Sequence, residues 1–271
     1  MTDNQSVEDA DRRNRLRATF GVDAERYDRA RPAYPEALFV DLAEVAQLVP
    51  GSRVLEIGPG TGQATVPLAA IGCAVVAVEL SPELAAVARR NLSAYPNASV
   101  IEGSFEAWEA PPQLFDAVVA ATAFHWIDPA VRLAKTAALL RPGGTLAVID
   151  TEHVAGESDF FDASQGCYER WDPATNPGMK LARAAQVGRE WKEIEHAEPF
   201  RPIGSRRYEW EVTYSTAEYL ELLSTYSGHI ALADEARAGL FGCLAALIDG
   251  SYDGAVTKRY LTILRMARRH G

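Results

Sequence analysis

The chain has 271 residues, of which 48% are hydrophobic and 24% are charged, a composition typical of a folded globular protein. Its net charge is −10 and its sequence pI is about 5.1, so nucleic acid, which is bound by basic surfaces, is a disfavoured partner. The N-terminus has no apolar signal core, and no apolar stretch approaches the ~18 residues of a membrane span. We therefore expect a cytoplasmic protein with no membrane partner.

Cys73, Cys167 and Cys243 are far apart in the sequence and form no C-x-x-C pair. Three widely spaced cysteines indicate neither a disulfide framework nor a zinc site. We predict three buried thiols in a reducing compartment and no bound metal.

The N-terminal elements precede a first strand. Residues 1–15 are polar and predicted to be disordered, and a short helix is predicted over residues 16–30. Two prolines within residues 31–35 end that helix. Apolar residues at helical spacing predict a second helix over residues 36–48, which Pro50 and Gly51 end before a strand at residues 53–57.

Three glycines at alternate positions, Gly58, Gly60 and Gly62, follow this strand, and a helix is predicted from Gln63 to residue 70. Glycine is required where the backbone turns sharply and lies close to a ligand. A helix that begins behind such a turn presents unpaired N–H groups to a carboxylate or phosphate. A dinucleotide fingerprint, G-x-G-x-x-G, would need glycine where Gln63 stands, so the spacing argues against a dinucleotide.

Strands and helices alternate over the next ninety or so residues, as in a doubly wound fold. Strands are predicted over residues 74–78, 99–102, 115–121 and 145–150, and helices over residues 82–92 and 129–140. Ser81 and Pro82 are typical of an N-cap and a first helical position. Residues 141–144 are predicted to form a turn. This alternation predicts a parallel sheet with right-handed crossovers.

The second half of the chain lacks the regular alternation of strands and helices. Residues 152–200 mix helix and loop and are rich in aromatic residues and prolines. Alternation predicts strands over residues 206–214 and 256–266, the first with Tyr208, Trp210, Val212 and Tyr214 on one face. Helices are predicted between them, over residues 217–226 and 234–248.

The pattern E-x-G-x-G-x-G from Glu56 to Gly62 resembles motif I of the class I S-adenosylmethionine-dependent methyltransferases. Glu79, about twenty residues beyond the glycines, stands where such proteins have a ribose-binding carboxylate. Residues 115–126 and 140–146 are also similar to the family, as are residues 27–35 and 223–227, and the trans-aconitate-methyltransferase-like, methyltransferase-type-11 group is the most similar. The resemblance covers about residues 20–270.

The resemblance implies a Rossmann-like α/β fold with a doubly wound, mostly parallel seven-stranded sheet and a helical cap insertion after the fifth strand. It also implies a division of the chain. The expected parts are an N-terminal lid or helix (1–35, partly disordered), a cofactor-binding core (36–151), an acceptor-side cap (152–205), and closing strands and helices of the same sheet (206–271).

The implied cofactor is S-adenosylmethionine. Glu56 and the glycine loop would lie near its methionyl part, and Glu79 would accept hydrogen bonds from the ribose hydroxyls. Relatives usually carry an acidic residue for the adenine amino group where this chain has Ser104, a weaker acceptor, and Phe105 could compensate by packing on the ring. On this resemblance, the cofactor-binding residues are Tyr27, Arg31, Glu56, Gly58, Gly60, Gly62, Gln63, Glu79, Leu80, Ser104, Phe105, Ala121 and Thr122.

His125 is the candidate catalytic residue, because a histidine suits the removal of a proton from an amine, phenol or carbon acid. The alternative is that His125 and Trp126 only shape the acceptor pocket, and a carboxylate acceptor would need no base. Tyr27, Arg31 and Tyr34 form either a lid or a surface helix with its terminating loop. The candidate acceptor residues are Tyr34, His125, Trp126, Tyr168, Trp171, Tyr226 and His229, although such aromatic residues are more often part of a core.

The preferred function is methyl transfer to a small organic acceptor at oxygen, nitrogen or carbon, by a monomer or homodimer. A binding or cyclase-like protein that keeps the cofactor but does not methylate is the main alternative. A macromolecule methyltransferase and a nicotinamide oxidoreductase are less favoured, the first by the acidic charge and the second by the glycine spacing.

Overall fold

The computed structural model describes residues 23–188 and 190–271. The predicted disorder of residues 1–15 and the first part of the helix predicted over residues 16–30 lie outside these described residues. The remainder of that helix is present as α1 (Ala24–Ala30), whose N-cap residue Asp23 accepts a hydrogen bond from the Arg26 backbone N–H.

One seven-stranded sheet organises the fold, as predicted. Its strands are β1 (Arg53–Ile57), β2 (Ala74–Glu79), β3 (Ala98–Glu102), β4 (Phe115–Ala121), β5 (Leu140–Val154), β6 (Phe200–Ser215) and β7 (Ala255–Arg269). Their order in the sheet is β3-β2-β1-β4-β5-β7-β6, and the β1–β2, β1–β4, β2–β3 and β4–β5 pairs are parallel. The strand order reverses between β1 and β4, which is where open α/β sheets bind ligands, at the carboxyl ends of the strands.

Helices connect and cover the strands. They are α2 (Glu36–Ala46), α3 (Thr65–Ala70), α4 (Pro82–Asn91), α5 (Pro129–Leu139), α6 (Phe160–Trp171), α7 (Lys192–Glu195), α8 (Thr216–Leu223), α9 (Ser227–Ile230) and α10 (Asp234–Ser251). The predicted start of α4 is confirmed, because the Ser81 hydroxyl accepts a hydrogen bond from the Leu84 backbone N–H and Pro82 is the first helical residue.

Both faces of the central strand β4 are buried. In β4, Ala117 and Val119 belong to one hydrophobic cluster, whereas Val118 and Ala120 belong to a second. Successive side chains of a strand point to opposite faces, so clusters on both faces require an almost continuous apolar strand. The apolar run in β4 thus reports its central position in the sheet.

Three of the longer elements differ from their predicted bounds. β5 begins at Leu140 and passes through residues 141–144, where we predicted a turn. Phe115 pairs with Leu140 but Ala117 pairs with Thr145, so β5 has extra residues opposite this part of β4. These residues form an irregularity within the β4–β5 pair and do not precede β5 as a separate turn. The strands predicted over residues 206–214 and 256–266 extend at both ends, as β6 and β7. Their pairing within the sheet, which is not visible in a local pattern, sets these lengths.

The chain forms two compact units. The first comprises Met1–Arg31, His153–Gly188 and Glu209–Leu261, and the second comprises Pro32–Glu152, Arg189–Tyr208 and Thr262–Gly271. Each unit has its own hydrophobic core: the two clusters that cover the sheet belong to the second unit, and a third cluster belongs to the first. The four contiguous ranges expected from the sequence stay a prediction.

The prediction of three free thiols is wrong. Cys167 of α6 and Cys243 of α10 form a disulfide with a Cα–Cα distance of 5.7 Å, and Cys73 is a buried free thiol. α6 and α10 also pack closely where a Cβ on Gly239 would lie 2.4 Å from the Trp171 ring. The helix packing unites two cysteines 76 residues apart, which their spacing could not reveal. The cysteines therefore lend no support to the expected reducing compartment.

Within residues 23–188 and 190–271, no helix combines the length and the apolar character needed to cross a membrane.

Candidate functional site

The glycine segment after β1 forms a loop of left-handed residues. Gly58, Gly60 and Gly62 have φ angles of +65°, +61° and +101°. At Gly58 a side chain is excluded twice, by the φ angle and because a Cβ would lie 2.7 Å from the Cβ of Ala123, just after β4. The Gly58 N–H donates to the Val78 carbonyl oxygen, which ties the loop to β2. The predicted need for glycine is thus borne out by the backbone.

The helix behind the loop begins at Thr65, so its predicted start at Gln63 is wrong. Gln63 lies in a turn, and its amide Nε2 donates to the Thr61 hydroxyl at 2.7 Å. The Thr61 carbonyl oxygen accepts from Asn91 of α4 and the Gly62 N–H donates to Pro59, which keeps this stretch in turns. α3 has only six residues and is too short to form an N-terminal anion site by itself. The loop is therefore the main source of backbone N–H groups at the end of β1.

Glu79 fixes the loop to the carboxyl end of β2. Its two carboxylate oxygens accept hydrogen bonds from the Gly60 N–H at 3.0 Å and the Ser81 N–H at 2.9 Å, and the residue is 3% exposed. A carboxylate can accept about four hydrogen bonds, so these two contacts do not by themselves exhaust it. A carboxylate beside a glycine loop at a strand end fits the expected recognition of ribose.

Glu56, one residue before the end of β1, is a fully buried carboxyl group. Among the described residues, neither of its oxygens has a hydrogen-bond partner. Burial raises the pKa of Glu56 to about 7, with Thr65 opposing the shift and the charge of Glu79 adding to it. A buried acceptor without a donor is costly. An amino group, such as that of a methionyl moiety, would supply the donor, so the residues present fit the implied cofactor.

The residues expected near adenine already have contacts within the protein. The Ser104 hydroxyl accepts a hydrogen bond from the Ala107 N–H at 3.2 Å. Phe105 is 4% exposed, packs in a core cluster, and has the Lys135 ammonium 5.2 Å from its ring centroid. Leu80, which follows Glu79, is 37% exposed. The roles of Ser104 and Phe105 in binding adenine, and of Leu80 in binding the cofactor, stay predictions.

Thr122 adopts a strained conformation just beyond Ala121, the last residue of β4. Its φ is +52°, which is unfavourable for a β-branched residue. The Thr122 hydroxyl bonds to the Ala121 carbonyl oxygen at 2.8 Å and to the Tyr34 hydroxyl at 3.0 Å, and its N–H donates to Ile149. These contacts hold a strained backbone at the strand end expected to face methyl donor and acceptor.

His125 lies in a short 3-10 helix (Phe124–Trp126) that follows this strained residue. The side chain is exposed and its ring centroid is 4.7 Å from that of Trp126. Partial desolvation lowers the pKa of His125, Arg132 lowers it further, and Glu152 opposes the shift. At neutral pH the imidazole is therefore neutral and able to accept a proton, which a general base requires.

The remaining predicted residues lie in the first unit. The Tyr168 hydroxyl bonds to His229 Nε2 at 3.1 Å, and the Arg31 guanidinium lies 4.8 Å and 4.4 Å from the ring centroids of Tyr27 and Tyr226. The structure thus brings most of this set into one aromatic group. Trp171 is the exception, because its ring packs on the helix glycine at position 239.

Two titratable residues of the first unit were missed by the sequence reasoning. Lys258 of β7 is 2% exposed, and its ammonium donates to the Tyr226 hydroxyl at 3.1 Å. The same hydroxyl lies 3.3 Å from Nε2 of His153, near the end of β5. The sequence does carry a signal for Lys258. Val256, Lys258 and Tyr260 stand at every second position of the strand, so all three side chains lie on the same, buried face.

Residues 54–144 match the sequence model of a family described as a methyltransferase domain. An uncharacterised methyltransferase of Mycobacterium tuberculosis is 38% identical over 138 residues, 51% of this chain and 54% of the relative. An rRNA adenine N-6-methyltransferase of Saccharopolyspora erythraea is 30% identical over 164 residues, 60% of this chain and 39% of the relative. The chain thus spans about half the length, or less, of these two curated relatives.

A solved structure from Anaeromyxobacter dehalogenans, described as a type II methyltransferase, has the same fold. It is 24% identical to this chain with a TM-score of 0.62, and the alignment covers 89% of this chain and 97% of that one.

Proposed function

We propose that the chain is a class I S-adenosylmethionine-dependent methyltransferase that transfers a methyl group to a small-molecule acceptor at oxygen, nitrogen or carbon. The match of residues 54–144 to a methyltransferase domain and the similarity to a relative named as a methyltransferase support this proposal. The observation that carries this proposal is the glycine loop: three left-handed glycines at the carboxyl end of β1, held by the Glu79 carboxylate at the end of β2.

The residues around the loop divide the work of holding the cofactor. The buried, unpartnered Glu56 carboxyl group would accept a hydrogen bond from the methionyl amino group, and Glu79 would accept hydrogen bonds from the ribose hydroxyls. When bound, the cofactor would supply a sulfonium methyl group that the acceptor nucleophile attacks in line, with the thioether S-adenosylhomocysteine as the leaving group. The protein therefore contributes mainly position and orientation.

The chemistry of the acceptor decides the role of His125. An acceptor that is protonated at working pH must lose its proton, and the neutral, exposed imidazole of His125 is suited to take it. A carboxylate acceptor is already ionised and would leave His125 as a wall of the pocket. The pH dependence of kcat/KM in wild type and His125→Gln distinguishes these roles, because only a base adds an ionisation that the variant lacks.

A small acceptor is favoured over RNA by the net charge of −10. The relative named as an rRNA methyltransferase favours the opposite, so RNA is the second candidate. Radiolabelled methyl transfer to a panel of small acids, amines and phenols, with ribosomal RNA in parallel, separates the two. Label in RNA alone would replace the small-molecule proposal. Cofactor binding without transfer to any of these would favour the cyclase-like or binding protein.

Calorimetry with the demethylated product, S-adenosylhomocysteine, tests the donor site. Glu79→Gln removes a charged acceptor and should weaken binding about 10-fold or more, since a hydrogen bond to a charged group contributes about 1.5–3 kcal/mol. Glu102→Gln is the matched control, because Glu102 pairs with Glu79 across β3 and β2 but bonds to the exposed Arg89. It should bind like wild type. If wild type shows no heat of binding and no thermal shift at millimolar ligand, the proposal is refuted.

A further inference from the structure

The first unit holds a buried lysine and a half-buried arginine for which its described residues offer no carboxylate. Lys258 is 2% exposed, and Arg31 has a buried Nε atom. Neither forms an ion pair with an Asp or Glu among the described residues. The nearby carboxylate of Asp172 acts through its charge on two other residues. Burial lowers the pKa of His229 and raises the pKa of Tyr168, and Asp172 opposes the first shift and adds to the second. Buried charges are normally paired, and here burial and the charge of Arg31 lower the pKa of Lys258 well below its usual value. A bound anion would stabilise the charged ammonium.

The two basic side chains both lie close to one tyrosine. The Arg31 guanidinium lies 4.4 Å and the Lys258 ammonium 5.0 Å from the centroid of the Tyr226 ring. The Tyr226 hydroxyl accepts from Lys258 and lies 3.3 Å from Nε2 of His153. Burial, with Lys258, Arg31 and His229, lowers the pKa of His153 to about 3, so this histidine is neutral and offers no negative charge.

Hydrogen-bond donors in this group outnumber the acceptors. Of the three N–H donors of Lys258, one has a hydrogen-bond acceptor among the described residues, the Tyr226 hydroxyl. Arg31 donates through Nη2 to the Thr225 carbonyl oxygen, while its buried Nε has no partner in that part of the chain. The buried Nδ1 of His229 also has no partner there, and it is a donor in the tautomer in which Nε2 accepts from the Tyr168 hydroxyl. Unmatched donors in buried surroundings require an acceptor, and because they belong to basic side chains an anionic acceptor is favoured.

We propose that these five residues, Arg31, His153, Tyr226, His229 and Lys258, form a binding site for the oxyanion group of a small molecule, a carboxylate or a phosphate. We call them the Lys258 cluster. The oxyanion accepts hydrogen bonds from the unmatched N–H groups of Lys258 and Arg31, and both bonds are charge-assisted. The inference rests on the proposed function only in taking the bound molecule to be the methyl acceptor.

Aromatic rings define which oxyanions fit. Tyr219, Tyr226 and Tyr260 place their ring centroids 5.9, 5.0 and 5.4 Å from the Lys258 ammonium, and Trp210 stacks on Tyr260 at 4.5 Å. Such surroundings favour a molecule with an apolar body beside its charged group. They also provide the competing explanation, in which cation–π contacts alone stabilise the ammonium.

Calorimetry with inorganic phosphate, succinate and benzoate tests the site, with S-adenosylhomocysteine titrated separately. At least one probe should bind wild type, and Lys258→Met should weaken its binding about 10-fold or more, as expected for loss of a charged donor. Lys180→Met, which removes an exposed lysine paired with Asp162, is the matched control and should bind like wild type. Binding of phosphate alone assigns a phosphate group, and binding of succinate or benzoate assigns a carboxylate.

A second pair of variants covers the case in which Lys258→Met does not fold. Arg31→Met should also weaken binding about 10-fold or more, whereas Arg29→Met, which removes an exposed arginine paired with Glu221, should not. The inference is overturned if wild type binds S-adenosylhomocysteine but none of the probes at millimolar concentration, or if the cluster variants bind a probe as tightly as their controls. Binding of a probe without S-adenosylhomocysteine would instead refute the proposed function and leave the oxyanion site standing.

Discussion

Replacing Gly58 with alanine should destabilise the protein through two separable effects. The first is backbone strain, because Gly58 has a φ of +65° and an alanine in the left-handed region costs about 1–2 kcal/mol. The second is a clash, because the new Cβ would lie 2.7 Å from the Cβ of Ala123. Ala123 has no flexible side chain that could move away, so the ends of β1 and β4 must shift.

The size of the loss follows from two controls. Gly51 has a φ of +90°, but a Cβ added there would have nothing within 4 Å, so Gly51→Ala reports strain alone, about 1–2 kcal/mol. An overpacked contact adds about 1–3 kcal/mol, so Gly58→Ala should cost about 2–5 kcal/mol. Combining Gly58→Ala with Ala123→Gly removes the clash and should recover about 1–3 kcal/mol of the loss.

Urea unfolding followed by far-ultraviolet circular dichroism measures all four variants: the three single substitutions and the Gly58→Ala, Ala123→Gly pair. A shift in midpoint at constant slope reports the change in the free energy of unfolding. If Gly58→Ala costs no more than Gly51→Ala, or if Ala123→Gly restores nothing, the close approach of the two strand ends is not what requires glycine at position 58.

Two further predictions concern buried groups of the two units. The pKa of Glu56 is raised from 4.5 to about 7 in the fold, so the wild type loses stability as pH rises between these values and no further above them. Across this pH window the free energy of unfolding of Glu56→Gln should rise by about 3 kcal/mol relative to that of wild type, as measured by urea unfolding at a series of pH values. If the free energies of unfolding of the two proteins change in parallel with pH, the raised pKa of Glu56 is contradicted. Reduction of the Cys167–Cys243 disulfide, which spans 76 residues, should cost about 4 kcal/mol and lower the thermal midpoint. The Cys167→Ser, Cys243→Ser variant is the control, since added reductant should leave its midpoint unchanged, and an unchanged wild-type midpoint would count against a stabilising disulfide.

Local chemistry made much of the second unit predictable. The bounds of β1 and β4 agree with the sequence prediction because strands buried on both faces are mostly apolar, and Arg53, Glu56 and Asp116 are the polar exceptions in these two strands. The start of α4 was readable because its cap and its proline act within one turn. The start of α3 was misjudged because side-chain bonds, such as that from Asn91 to Thr61, hold the preceding residues in turns. The Asn91 bond comes from 30 residues further along the chain, so a local pattern could not reveal it.

The candidate site was also predictable only in part: its local sequence features were identified, and the contacts imposed by the surrounding structure were not. The glycines and Glu79 were identified together because their spacing follows one strand–loop–strand unit, and the structure joins them through the Gly60–Glu79 hydrogen bond. Thr122 was expected at the strand end, but its positive φ and its bond to Tyr34 were not expected. Backbone strain of this kind is imposed by surrounding contacts and leaves no mark in the residue types.

By itself, the sequence determined the strand–helix alternation, the glycine loop and its carboxylate, because each depends on hydrogen bonds and steric limits within a few turns of chain. Only the tertiary structure decided that Cys167 meets Cys243, and that Arg31 and Lys258 both lie close to the Tyr226 ring. These contacts join residues that are distant in the chain. They depend on how whole helices and strands pack, which no local pattern of residues encodes.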